Sequence, residues 1–201
     1  YSVDLDPEHV DRWKDLVNLQ FSLHNFIGVV DNATQARKLF PDEYFFPLMI
    51  SMVETNRGNY AESLAMLKSI DMSSLPDDKA RSVVYSTIGD VYYQNEQPDS
   101  ANIAYTKAID LDPENFMAMN NSAYFNAERG INLDQSELYA SIATASDPEN
   151  PTFLDTYAWV KFKKKDYVAA REIMDKVLAL YGLLDIVQEL SLIHISEPTR
   201  H

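Results

Sequence analysis

The groups in this sequence whose chemistry has to be weighed first are two histidines, His9 and His24, three consecutive lysines at 163–165, and an Asp-Pro-Glu triplet that occurs three times. A histidine titrates near neutral pH and can move protons or hold a metal, but either task needs partners at defined spacing. No nucleophile elbow, phosphate loop or metal-binding helix motif accompanies His9 or His24. The chain has no cysteine, which excludes disulfides and thiolate metal sites. Around Asp110 the run Asp-Leu-Asp-Pro-Glu resembles the start of a calcium loop. Its sixth and twelfth residues are Asn115 and Asn121, where such a loop needs glycine and glutamate. Helix capping accounts better for the acids: aspartate accepts first-turn amides, proline suits the first helical position, and glutamate complements the positive helix end. The lysine run closes a helix, where positive charge offsets the dipole. Two glycosylation sequons, Asn32-Ala33-Thr34 and Asn120-Asn121-Ser122, receive no role. No catalytic, cofactor-binding or metal-binding residue is therefore assigned, and the expectation is a non-enzymatic protein without a cofactor.

Those features must be carried by helices. Glycine is scarce, at five residues, and no alternating polar and apolar run is long enough to argue for a sheet. With 46% hydrophobic and 24% charged residues, the 201-residue chain can bury a sizeable core. Its formal charge of −14 argues against nucleic acid or an anionic membrane surface as partner.

The residues 85–113 contain one complete helix, turn and helix. Tyr85, Ile88, Gly89 and Tyr92 share a face at helical spacing, and after a break at Pro98 so do Ala101, Tyr105 and Ala108, with Pro113 closing the unit. Gly89 and Ala101 are expected to face one another and let the two backbones approach. Prolines 7, 41, 76, 113 and 148 punctuate the chain at intervals of 34, 35, 37 and 35 residues. The order W-x2-L-G-x2-Y, A-x3-F, P at a period near 34 resembles the tetratricopeptide repeat. Copies are read at 10–43, 44–76, 82–115, 116–150 and 151–184, forming an array over 10–189, with 1–9 as the end of a preceding repeat and 183–189 as the opening of another. Departures from the pattern are Val17 and Ser51 in place of glycine, and Pro47 near the start of the second copy.

The resemblance implies an all-α fold, a right-handed superhelical solenoid of helix-turn-helix repeats, with the first helix of each pair lining a concave face. On that face it places Asn18, Phe45 and Met52, then Asp90, Tyr93 and Gln94, then Asn120, Tyr124, Asp155, Trp159 and Phe162. Aromatic and methionine side chains supply contact area and amides suit a peptide backbone. Lys14 and Asn18 resemble two members of the carboxylate clamp of some co-chaperones of this family, but Met49, Val83 and Thr87 stand where further clamp residues belong. The implied function is a scaffold for protein–protein interaction that binds a peptide or partner protein on its concave face, without direct membrane insertion. The alternative is a structural subunit of a bacterial envelope or assembly complex packed permanently against a partner. The segment 120–178 looks especially like the closing repeats of bacterial members.

Residues 190–200, LSLIHISEPTR, read as the translation of a transposon-end sequencing adaptor, so 190–201 is expected to be a non-native tail and to lie outside the fold. A chain ending at Glu189 should then keep its helical circular dichroism and melting temperature. A loss of either on removing 190–201 would contradict that reading.

Overall fold

The computed structural model describes residues 8–196, with side chains up to residue 182. The expectations for 1–7 and 197–201, and for the side chains of 183–196, lie outside the described residues. Among the described residues the chain forms ten α-helices and no strand. They fall into two compact units, one ending at Asn115 and one beginning at Phe116.

The first unit contains three helical hairpins: α1 (Val10–Ser22) with α2 (Phe26–Leu39), α3 (Phe45–Asn56) with α4 (Tyr60–Lys68), and α5 (Asp78–Gln94) with α6 (Pro98–Leu111). The second contains α7 (Phe116–Arg129) with α8 (Leu133–Ser146), and α9 (Pro151–Lys163) with α10 (Tyr167–Ser196). Helices this short are marginal alone and are held by the apolar face they bury. Within each unit the opening helix of a hairpin meets both helices of the hairpin before it, so α3 touches α1 and α2, and α9 touches α7 and α8.

The chain reverses by the same device in all five hairpins. His24, Gly58, Glu96, Gly130 and Lys165 have φ of 55°, 79°, 53°, 68° and 67°, the left-handed region that ends a helix. The amide after each bonds back across the turn, from Asn25 to Gln20, Asn59 to Glu54, Gln97 to Tyr92, Ile131 to Asn126 and Asp166 to Lys161. Four of these hairpins start their second helix directly after that residue pair. The fourth inserts one extra residue, Asn132, itself at φ 49°. His24 and Lys165 thus have structural tasks: one is a turn residue, and the other is where the basic run crosses from α9 towards α10.

Three positions behave differently from their sequence expectation. Opposite Gly89 stands the ring of Tyr105, not Ala101: a Cβ on Gly89 would lie 2.6 Å from Tyr105 Cε1. Tyr105 is 2% exposed and its hydroxyl donates to Asp90 Oδ1 at 2.6 Å, so the ring cannot yield. The two Asp-Pro-Glu triplets among the described residues, at 112–114 and 147–149, do not begin helices. Asp112 and Asp147 cap the helix before, Asp112 Oδ1 accepting from the Glu114 amide at 3.0 Å in a turn. At the second of these joints the cap is Asn150, which accepts from Thr152 and Phe153, and Pro151 takes the first helical position. Finally, α10 passes through Gly182 without a break, where the fifth copy was expected to close.

The substitutions for glycine are absorbed by packing. Val17 is fully buried in a cluster with Trp13, Val29, Ala33, Phe46 and Val53. Ser51 is also fully buried, its hydroxyl donating to the Leu48 carbonyl at 2.7 Å, and beside it Thr55 and Ser63 share a hydrogen bond of 2.8 Å. Pro47 is the third residue of α3, where the missing amide costs no helical bond. Overpacking a site this tight costs about 1–3 kcal/mol. Gly89→Ala should therefore lower the melting temperature by several degrees, measured by circular dichroism, and an unchanged melting temperature would show that α5 and α6 can part without loss.

Candidate functional site

In the second unit, α7, α9 and α10 enclose a cleft of about 560 Å³. Tyr124 and Glu128 reach it from α7. Asp155, Ala158, Trp159 and Phe162 come from α9, and Tyr167, Ala170, Arg171 and Met174 from α10. Positions 155, 159 and 162 are one turn apart on α9, which brings them to one side of the helix. The Trp159 and Phe162 rings stack 5.5 Å apart at 9°, and Phe162 meets Tyr167 at 5.4 Å. Three aromatic rings therefore run in series along one wall. Phe162 and Tyr167 are 49% and 57% exposed, an unusual amount of aromatic surface left to water.

Lys163 steadies this wall. Its ammonium lies 4.6 Å from the Trp159 ring centroid, close enough for a cation–π attraction, and donates to the Glu128 carbonyl at 3.3 Å near the end of α7. The indole Nε1 of Trp159 is shielded from solvent and has no hydrogen-bond acceptor. Glu128 and Asp155 are exposed carboxylates at the cleft, and Arg171 lies 4.0 Å from Asp175 at the surface. The site offers apolar contact area and charges of both signs at its rim.

On the opposite flank of α9, Glu137 of α8 receives hydrogen bonds from both Lys161 and Lys164, while Asp134 takes a second bond from Lys164 at 2.6 Å. The bond from Lys161, then that from Lys164, holds the Glu137 carboxyl below its ordinary value. Bonding to Glu137 raises Lys161, and bonding to Asp134 and then Glu137 raises Lys164. The basic run read as a dipole complement is thus divided among three tasks: an anchor to α8, a contact on Trp159 and a turn.

Of the residues expected on a concave face, Tyr124, Asp155, Trp159 and Phe162 are brought together in this cleft. Asn120, on the same helix as Tyr124, is 3% exposed and bonds to the side chain of Asn121 at 3.3 Å. In the first unit Phe45 and Met52 pack against the cluster around Trp13 and Phe46. Asp90 accepts the Tyr105 hydroxyl, Tyr93 is half-buried, and Asn18 and Gln94 are exposed. Lys14 pairs with Glu43 at 2.6 Å, so one of the two clamp-like residues is already engaged. The sequence reading missed what α10 contributes. Tyr167, Arg171, Met174, Leu178 and Tyr181 recur at alternating intervals of four and three, a signal that was present in the sequence. Among the described residues no group of His, Asp or Glu could hold a metal ion, and no helix is long and apolar enough to cross a membrane.

A family model described as tetratricopeptide repeat matches residues 82–115. Solved structures of the same fold include YrrB, described as a TPR protein with an unusual peptide-binding site. It is 17% identical, with 89% of this chain and 90% of that chain covered and a TM-score of 0.57. PilF of Pseudomonas aeruginosa is 16% identical over 85% of this chain and 75% of its own, with a TM-score of 0.70. The APC/C hetero-tetramer Cut9–Hcn1 contains a chain 16% identical over 89% of this one and 35% of its own, with a TM-score of 0.77. No curated protein matches the sequence. Residues 82–115 match a tetratricopeptide repeat, and the described chain has the helical-hairpin fold of the solved structures that carry such repeats. Proteins of this kind are in general scaffolds for protein interaction, so the partners to expect are proteins or peptides.

The Glu137 network carries a pH dependence. A carboxyl held low when folded contributes stability that is present above its unfolded pKa and is lost as pH falls through the folded value, which lies below 4.5. Partly exposed pairs contribute up to about 1 kcal/mol. Glu137→Gln should therefore lower the melting temperature by roughly 2–4 °C at pH 7, and the gap to the parent should close as pH falls below 4.5. A gap that stays constant down to about pH 3 would assign the effect to packing.

Proposed function

We propose that the cleft of α7, α9 and α10 is the peptide-binding surface of this scaffold. The carrying observation is the aromatic series of half-buried Trp159 and exposed Phe162 and Tyr167, which lines a cleft of about 560 Å³ together with Tyr124. That volume is within the range of ligand clefts, about 300–1,000 Å³. Apolar side chains of a peptide would cover the exposed rings of Phe162 and Tyr167. Asp155, Glu128 and Arg171 at the rim would set register and orientation more than affinity. YrrB supports the reading to the extent that a protein of similar fold is described with a peptide site.

A second reading rests on α10. Tyr167, Val168, Leu178 and Tyr181 are 57%, 73%, 63% and 53% exposed, which suits a partner packed permanently along that helix. Exchange separates the two: a groove releases short peptides quickly, whereas a permanent partner copurifies and survives salt.

Random peptides displayed on phage, selected on the protein and counter-selected on Trp159→Ala, test the first reading. Enriched peptides should change the tryptophan fluorescence through Trp159, while Trp13, 6% exposed and in the other unit, supplies a constant background. Their affinity should fall about tenfold or more in Trp159→Ala, the loss expected for an aromatic anchor of an interface. Failure to enrich any sequence, or equal binding to both proteins, would sink the proposal.

A further inference from the structure

The first unit holds a second cleft, of about 360 Å³, whose chemistry is opposite to that of the chain around it. It exists because α4 stops after nine residues where α6 runs for fourteen, and the backbones of these two helices do not meet. Tyr85, Ile88 and Tyr92 of α5 line the gap, with Lys68 at the end of α4 and Ile103 and Lys107 along α6. The rings and Ile88 are half-buried, while Ile103 is 68% exposed.

The chain carries 31 acidic and 17 basic residues, yet this cleft is lined by two lysines and no carboxylate. Neither lysine forms an ion pair with a described residue. The Lys107 ammonium is instead held 4.3 Å over the Tyr85 ring, an arrangement that fixes the charge at the cleft. An apolar gap flanked by two positive charges unneutralised by carboxylate is complementary to one kind of surface.

We propose that this cleft docks a segment of a partner protein in which a leucine-like side chain is flanked by glutamate or aspartate. The aliphatic group would cover Ile88 and Ile103, and the flanking carboxylates would pair with Lys68 and Lys107. The remaining surface, with its net negative charge, repels such a segment, so the local reversal of sign selects both the partner and the place where it docks. The cleft and the aromatic site of the second unit have no residue in common, and the two can be tested apart.

The probe is a fluorescein-labelled, acetylated peptide of about ten residues alternating leucine with glutamate, compared by anisotropy with its lysine counterpart. The glutamate peptide should bind despite the net charge of −14. Lys68→Glu with Lys107→Glu should weaken it by about tenfold or more, since reversing both charges replaces attraction by repulsion. Lys68→Gln with Lys107→Gln should weaken it less. Both lysines are exposed, so the variants should keep the parent circular dichroism. Absence of binding, equal binding to the charge-reversed protein, or preference for the lysine peptide would overturn the proposal. So would loss in Trp159→Ala with retention in the lysine variants, which would move the binding to the second unit.

Discussion

One residue per hairpin in the left-handed region sets the geometry of this protein. At His24, Gly58, Glu96, Gly130 and Lys165 the chain ends a helix, closes a bond back to the residue five before the next amide, and starts a helix in the return direction. Because nine of the ten helices among the described residues have only nine to seventeen residues and are marginal alone, that reversal decides which face each pair shares and which it leaves for the next. The side chains presented outward on an opening helix follow from it. Trp159 and Phe162 line a cleft because the turn at Lys165 returns α10 alongside them.

Variation within this regular plan creates the surfaces. The turn is nearly invariant, recurring after 34, 38, 34 and 35 residues, but the length of the returning helix is not. A short α4 opens a gap over α5, and the first turns of α10 lend Tyr167 and Met174 to the wall of the aromatic cleft. Polar groups adapt in the same local manner. Ser51 and Thr55 replace a tight glycine contact by hydrogen bonds, and Glu137 draws two lysines of α9 onto α8.

The helical pairs were legible because their apolar spacing repeats, and four aromatic or acidic positions of the cleft followed from the resemblance to the tetratricopeptide repeat. What the sequence concealed was decided by partners distant in the chain. Nothing local to Gly89 says that its neighbour is Tyr105 rather than Ala101; the answer depends on how far α6 slides along α5. Asp-Pro-Glu is compatible with both a helix start and a turn, and the presence of Asn150 and Pro151 three residues later settles the joint as a turn. Three of the five reversal residues are not glycine, so a search for glycine finds only Gly58 and Gly130. The contribution of α10 was visible as a stripe, yet its meaning required knowing that the first turns of α10 share a cleft with α9 and α7.

Those non-glycine reversals imply a reserve. Side chains other than glycine in the left-handed region cost about 1–2 kcal/mol each, and His24, Glu96 and Lys165 all sit there. Asn132 at φ 49° is a fourth such residue, and the packing of the helix pairs must offset the cost of all four. The same positions are where a hardier variant could be made, one turn at a time, without touching either cleft.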